Sequence, residues 1–470
     1  METLNTDNTT LGEFYRYLIH EYIRLHPHAI ADPDFDLNME HHILEFTNAT
    51  INHVVEDNDV ASVYKSQCDI YFEEHPRRQY EDDSDVLLSS TLKSFISPST
   101  DCIEAVIEKL HNKFQPEQRT TEWYQYRHGL ITASNAYKAF ESDAVKNQLI
   151  YEKCQPIQQP DNTLTDEIKM VRMVNTTTTL HWGQKYEPVS VMIYEQLFNT
   201  HISEYGCMQH DIYSFIGASP DGINTKKDSD KFGRLLEVKN IVNREINGIP
   251  KKEYWVQMQL QMEVCNINAC DFLETRFIEY KDEPTFENDR LSEDDESYFT
   301  SADGKMKGAL IHFHKPDGSP KYIYKPLNIC TKTTYDKWCR EIVTDYEQNQ
   351  GVVFIAHIYW KLDIWSCVLV VRNQQWFNDN ILTISNIWNI ILHERETGYT
   401  HRAPKRRIKA SVDINIRRND DNSNEDDKNN NEGNNIRIIT SDSNKYNKQI
   451  VKSDIVWTDG EINLQIPPIV

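Results

Sequence analysis

Ser219-Pro220-Asp221-Gly222 and, after a turn-rich stretch, Leu236-Glu237-Val238-Lys239 decide how this chain is read. The apolar runs Phe215-Ile216-Gly217-Ala218 and Leu235-Leu236-Glu237-Val238 predict two strands with a loop between them. An Asp at the end of one strand and Glu-x-Lys in the next bring two carboxylates and one ammonium to a point. Two carboxylates can hold a divalent cation together with waters and a substrate phosphate, and the Val238 carbonyl can join them. The lysine can orient a water and offset the negative charge that builds on a phosphate during hydrolysis. Asp221-Gly222 alone is a turn signal, and Glu237-x-Lys239 alone suits a solvated strand. Their order, with apolar residues leading into both, favours metal-assisted phosphodiester cleavage.

Three further stretches carry polar groups that such a site can use. Glu187, in His181-Trp182-Gly183-Gln184-Lys185-Tyr186-Glu187-Pro188, offers a third acid; its plain alternative is an acid near a helix N-terminus, favourable to the helix dipole. Gln257, Gln259 and Gln261 alternate along a predicted helix from Tyr254 to Val264. Gln257 and Gln261 share one face there and Gln259 points elsewhere. An amide at the site can position a water or steady Lys239; otherwise these are surface glutamines. Arg127 presents a fork suited to phosphate, while Thr132 and Ser134 sit at a predicted helix start whose free amides favour an anion. The alternative makes one of these hydroxyls an N-cap and Arg127 a surface ion pair.

A chain of 470 residues calls for two domains plus tails. Its net charge of −23 counts against a generic nucleic-acid binder, which shows a basic footprint. Much of the acid lies in runs that read as peripheral: Glu81-Asp82-Asp83, Glu293-Asp294-Asp295-Glu296 and Asp420 to Asp427. A basic groove can therefore exist inside an acidic protein. The nine cysteines are scattered without a C-x-x-C pair, which argues for reduced, mostly buried thiols over a zinc site or disulfide framework. Glu2, Asn5 and Asp7 interrupt any signal-peptide core, and the most apolar stretch, Gly351 to Trp365, is broken by His357, Lys361 and Asp363. A soluble, intracellular protein with no membrane partner is expected.

Residues 1–115 read as a mostly helical accessory domain: Leu11, Phe14, Tyr15, Leu18, Tyr22 and Ile23 recur at helical spacing, as do Ile43, Leu44, Phe46 and Ile51 less cleanly. Ile103, Val106, Ile107 and Leu110 suggest another helix, and Glu81 to Asp85 a loop. Residues 116–400 read as one α/β domain with a mixed sheet. Thr132 to Phe140, Leu180 to Phe198 and Trp376 to Leu392 read as helices, and Ala269 to Tyr280, Leu310 to Phe313 and Tyr322 to Tyr324 as strands. Val352 to Tyr359 and Trp365 to Val371 read as a pair of strands that extend the sheet. Residues 401–470 form a tail. Arg402 to Lys409 is basic, suited to DNA contact, transport or a solvated linker; Asn419 to Asn435 is too polar to order itself; Ile450 to Val470 regain apolar content suited to docking.

Taken in order, five blocks resemble the YqaJ-like viral recombinase group, which belongs with phage lambda exonuclease in the PD-(D/E)XK nuclease superfamily. They are Trp123-x-x-x-Arg127-x-x-x-x-Thr132-Ala133-Ser134, Gly183-x-x-x-Glu187-Pro188, Ser219-Pro220-Asp221-Gly222, Glu237-Val238-Lys239 and Tyr254-x-x-Gln257-x-Gln259-x-x-Met262. The resemblance covers residues 117–280, and the Asn-, Asp- and Ile-rich composition is similar to that of giant DNA virus proteins such as those of mimiviruses. It implies a restriction-endonuclease-like core with a mixed sheet flanked by helices, and a Mg2+-dependent 5′→3′ exonuclease on double-stranded DNA, with Mn2+ able to substitute. Asp221, Glu237 and the Val238 carbonyl would hold the metal. Lys239 would be the catalytic lysine, Glu187 an outer metal or water contact, and Gln257 the supporting glutamine in competition with Gln259. Arg127, Ser134 and Ser219 would bind the 5′-phosphate of a DNA end. Some relatives carry a tyrosine after the glutamine; Gln261 occupies that spacing here. Lambda-type relatives form rings around DNA, so a homo-oligomer is expected, with a single-strand annealing protein or a helicase as a further partner. The alternatives are an endonuclease, a Cas4-like nuclease lacking the iron–sulfur cluster, and an inactive DNA-binding scaffold. The scattered cysteines count against the cluster-bearing form, and the retained Asp221, Glu237 and Lys239 against the scaffold.

Overall fold

The computed structural model describes residues 8–26, 29, 31–50, 57–75, 94–118, 120–157, 175–176, 178–404, 456–458 and 461–463. The chain divides into two units, Met1–Pro404 and Lys405–Val470. The readings of Glu81 to Asp85, of Ile51, of Lys405 to Lys409 and of Asn419 to Asn435 lie outside the described residues, as does most of Ile450 to Val470. In the second unit, Val456–Thr458 pairs antiparallel with Glu461–Asn463.

In the first unit, α1 (Asn8–Leu25), α2 (Phe35–Thr50) and α3 (Asp57–Glu74) pack around Leu11, Tyr15, Ile19, Phe35, Met39, Ile43, Tyr64 and Tyr71. The helical spacing of these apolar residues gives α1 one face to bury. The Trp255 indole N–H donates to Asp32 Oδ1 at 2.8 Å, which ties this bundle to the α/β core. Two further helices follow, α4 (Thr100–His111) and α5 (Thr121–His128).

Two sheets follow. A small one has the order β1-β4-β3, built from β1 (Ile131–Thr132), β3 (Met208–Gln209) and β4 (Ile216–Ala218). The large one has seven strands in the order β2-β5-β6-β7-β10-β8-β9. They are β2 (Ile202–Ser203), β5 (Gly222–Asn224), β6 (Leu235–Asn240), β7 (Ala269–Glu279), β8 (Lys307–His314), β9 (Pro320–Tyr324) and β10 (Val353–Val371). Only the β6–β7 pair is parallel, so this sheet is mixed, as the α/β reading requires.

Side chains alternate across the strands, so each residue's position assigns its face. Leu235, Cys270, Phe272 and Val370 face α9 (Lys252–Cys265) and α12 (Gln374–Thr397). Leu236, Val238, Leu273 and Cys367 face the opposite side, with Tyr194 of α8 (Thr179–Leu197). Farther along, α11 (Lys332–Asn349) covers Ile311, Phe313 and Tyr359. The short helices α6 (Ala133–Ala136) and α10 (Glu283–Asn288) and the longer α7 (Asp143–Cys154) complete the set. All nine cysteines are free thiols, six of them buried, in keeping with the reduced state expected.

Three local readings are corrected. Val352 to Tyr359 and Trp365 to Val371 belong to one 19-residue strand, β10. Asp363 is the extra residue of a bulge between Leu362 and Ile364, which lets a charged position interrupt the apolar pattern without ending the strand. Thr132 to Phe140 is a four-residue helix followed by a 3-10 turn, Tyr137–Phe140, in place of one helix. Glu187 lies in the middle of α8, with Pro188 inside the helix, so the helix-dipole reading of this acid does not apply.

A buried charge cluster fixes the β5–β6 hairpin. Asp271 has no solvent exposure and lies within 3.4 Å of Lys231 and 3.3 Å of Arg234, both in the chain leading into β6. The Tyr194 hydroxyl donates to Asp271 Oδ2 at 2.6 Å and accepts from Asn224 Nδ2 of β5 at 3.1 Å. One carboxylate thereby joins β7, β5, α8 and the loop before β6. Removing it would take from two buried cations the carboxylate they share. Asp271→Ala is expected to lower stability by about 3–5 kcal/mol, read from the denaturant midpoint of the purified protein.

Candidate active site

The β5–β6 hairpin places the two acids. The Asp221 N–H donates to Leu236 O at 3.2 Å as the last rung of the ladder, and the Val238 N–H then donates to Asp221 Oδ2 at 2.7 Å. A strand residue presents its N–H and C=O to the same edge. The Val238 carbonyl therefore faces the gap where Asp221 sits. Asp221 Oδ1 accepts no hydrogen bond from the described residues.

Leu235, Glu237 and Lys239 alternate onto the face covered by α9. Glu237 has no solvent exposure. Its Oε1 accepts from Lys239 Nζ and from Gln257 Nε2, the latter at 2.7 Å, and its Oε2 accepts from Gln261 Nε2 at 2.6 Å. Lys239 Nζ also lies 5.0 Å from the Tyr254 ring centroid. Burial works against the Lys239 ammonium, but Glu237 and Asp221 outweigh it and hold its pKa above the ordinary lysine value. Burial pushes the Asp221 carboxyl well above the usual range, and the Glu237 charge adds to this; Lys239 opposes both. Glu187 is exposed on α8, and its charge also raises Asp221.

The structure therefore gathers Asp221, Glu237, Val238, Lys239 and Gln257, with Glu187 within electrostatic reach. Gln259 lies elsewhere: its amide donates to Val371 O at 3.0 Å and accepts from the Asn373 N–H at 2.7 Å, pinning α9 to the start of α12. Gln261, which the sequence reading set on the face of Gln257 without assigning it a site role, joins the gathered residues at Glu237. Its signal was the i, i+4 relation to Gln257 on one helical face. Among the described residues, no three or more His, Cys, Asp or Glu side chains gather as a metal cage. The donors that do converge are two carboxylates and one carbonyl, all oxygen, which fits a hard divalent cation that keeps several waters.

The β1–β4 pairing positions the other predicted residues. Thr132 pairs with Gly217; beyond this pair Ser134 lies in α6 and Ser219 directly follows β4. Gly217 is required there, since a Cβ would sit 2.6 Å from Leu130 Cδ1. Ser134 is exposed, and its hydroxyl lies 3.3 Å from that of Thr132. Arg127 stacks 4.5 Å over Trp123 and bonds the Cys207 thiol. Among the described residues, no hydrogen bond joins it to Ser134 or Ser219. Lys153 donates to Arg127 O at 2.9 Å, and burial, with the charges of Arg127 and Arg395, brings Lys153 down to about 8. Lys153 and Arg395 are distant in sequence from Arg127, and no motif singled them out.

Comparison with known proteins gives this geometry a context. Residues 122–268 match the family model of the YqaJ-like viral recombinase domain. The YqaJ-like segment contains the hairpin, α9 and Arg127. The chain is also 29% identical over 308 residues to an uncharacterised protein of Acanthamoeba polyphaga mimivirus. That alignment covers 60% of this chain and 54% of the mimivirus protein, so the chain spans about half the length of that relative. Among solved structures it is similar to an alkaline exonuclease, LHK-Exo, from Laribacter hongkongensis, at 18% identity over 59% of this chain and 95% of that one, with a TM-score of 0.32. The complex of LHK-Exo with dAMP aligns with the same coverage and score at 16% identity. Among the described residues, no helix is long and apolar enough to cross a membrane.

The raised Asp221 pKa has a consequence for stability. A folded-state pKa above the unfolded value means that the folded chain binds more protons at pH values above about 3.9. Stability contributed by this group is therefore greatest at low pH and lost as pH rises. Asp221→Asn keeps an acceptor for the Val238 N–H and removes the charge. It is expected to raise the melting temperature of the metal-free protein at pH 8, by an amount that shrinks toward pH 4. Melts in EDTA across that range test this, and a lower melting temperature at pH 8 would contradict it.

Proposed function

We propose that this chain is a divalent-metal-dependent DNA nuclease that hydrolyses phosphodiester bonds from the 5′ ends of duplex DNA. The observation that carries the reading is the convergence of Asp221, the Val238 carbonyl, Glu237 and Lys239 at the open end of one hairpin, within the segment that matches the YqaJ-like domain. Asp221, Glu237 and Val238 would hold Mg2+ or Mn2+. The cation would supply Lewis acidity to the scissile phosphate and acidify a water. Lys239 is held charged by its two acids, so it acts as a cation that orients water and offsets charge on phosphorus, rather than as a base. Gln257 keeps the Glu237 carboxylate in one orientation. The water oxygen bonds to phosphorus and gives a proton to solvent, the P–O bond to the leaving sugar breaks, and the departing alkoxide takes up a proton to leave as an alcohol.

Ser134 and Ser219, each shortly after one of the paired strands β1 and β4, would supply hydroxyls for a terminal phosphate. The cations of Arg127, Lys153 and Arg395 cluster without a carboxylate hydrogen bond to Lys153, which favours an anion nearby. A terminal phosphate carries more charge than an internal diester, so this arrangement favours ends. Residues 1–115 are then an accessory domain to the nuclease core, and the tail from residue 405 a separate segment.

Asp221→Ala and Glu237→Ala should abolish cleavage and weaken Mn2+ binding, whereas Lys239→Ala should abolish cleavage and keep Mn2+ binding; nuclease assays beside calorimetry separate the two. These losses should not add, because the groups act as a unit. Linear duplexes with 5′-phosphates should be degraded faster than those with 5′-hydroxyls. A charge-assisted hydrogen bond is worth about 1.5–3 kcal/mol, so Arg127→Ala should slow phosphorylated ends roughly tenfold or more. Covalently closed circles cut as fast as phosphorylated linear DNA would replace this reading with an endonuclease.

A further inference from the structure

Gln261 makes contacts that the proposed roles do not account for. It has no solvent exposure, and its one amide nitrogen serves two acceptors: Glu237 Oε2 at 2.6 Å and Ser219 O at 3.3 Å. Both partners are acceptors, so chemistry fixes which end of the amide faces them. Reversing it would set an oxygen against a carboxylate and a carbonyl. Gln261 Oε1 is buried and has no partner among the described residues. A buried acceptor left unmade costs stability, so this orientation is kept for what the nitrogen does.

That nitrogen joins two parts of the site. Gln257 and Gln261 stand one helical turn apart on α9 and each donates to a different oxygen of Glu237. A carboxylate held at one oxygen can still pivot; one held at both cannot. Ser219 lies two residues before Asp221, so the same amide also anchors the segment that delivers the other acid. Its partner Glu237 is reached from the helix side.

We infer that Gln261 is a positioning residue that sets the spacing of Asp221 and Glu237 for the divalent cation, by bridging Glu237 Oε2 to the Ser219 carbonyl. This rests on the nuclease reading above. Groups that orient metal ligands typically govern affinity by about 10–100-fold.

The test uses the full chain and Mn2+ alone as the probe, by calorimetry, followed by digestion of a linear duplex over a Mn2+ series. Gln261→Leu removes the donor. Gln261→Met does the same with an unbranched side chain that fits the same space, and covers the case in which the leucine packs poorly. In either variant the Mn2+ dissociation constant should rise about tenfold or more. Digestion should fall at low Mn2+ and recover toward the wild-type rate as Mn2+ is raised. A merely structural role would lower the rate at every Mn2+ concentration without that recovery, and would overturn the inference. So would a folded Gln261→Met protein with wild-type Mn2+ affinity. If wild-type protein binds no Mn2+, the nuclease reading and this inference fail together. If wild type binds and Asp221→Ala does not while Gln261→Met binds normally, only the inference fails.

Discussion

A carboxylate with no access to solvent must be matched by donors within the protein, and Glu237 imposes that condition on everything around it. Lys239, two residues along the same strand, supplies the charge. Gln257 and Gln261 supply neutral donors from a different element. Helix α9 therefore has to lie across β6 in one register, because a shift of one residue would turn both amides away. The apolar residues around them, Met258, Leu260 and Met262, are buried and hold that register. The acid that suits a cation and the packing of the helix against the sheet are one constraint.

The hairpin needs a second anchor on its other face. Asp271, next to β6 in the parallel ladder opposite Leu236, draws in Lys231, Arg234 and Tyr194 beneath the same strand. Glu237 and Asp271 thus act from opposite faces of the sheet. In one cluster a carboxylate meets two cations. In the other two carboxylates share one lysine, and burial, with the Glu237 charge, shifts the Asp221 carboxyl up. The difference between a structural ion cluster and a candidate cation site is this excess of negative charge.

The region beyond the YqaJ-like match is continuous with it. Strand β6, inside the match, pairs with β7 just beyond it, and β10 pairs with β7 along the whole of that strand and then with β8, so the sheet crosses from one segment to the other without a break. Gln259 and the Arg372–Glu263 pair, at 2.5 Å, lock α9 to the end of β10 and the start of α12. A helix so tied on both sides cannot drift from β6, which preserves the amide contacts to Glu237.

Much of this was legible in the chain itself. Strand-forming runs around Asp221 and Glu237 marked the hairpin because local apolar alternation and turn residues are enough to define one. The shared face of Gln257 and Gln261 followed from helical periodicity. The single strand β10 was misread as two because Lys361 and Asp363 break the apolar pattern, and only the pairing shows that Lys361 stays in register on both sides while a bulge absorbs Asp363. Whether Gln257 or Gln259 approaches Glu237 could not be read from alternation, since rotation of the helix about its axis is set by what it packs on. The meeting of Lys153 and Arg395 beside Arg127 was likewise invisible, because contacts between residues so far apart in the chain leave no local pattern. Sequence alone determined the element types and the chemical kinds of the site residues, which depend on neighbours in the chain. Only the tertiary structure decided which amides reach Glu237 and which elements bury it, because those depend on how separate elements share buried surface.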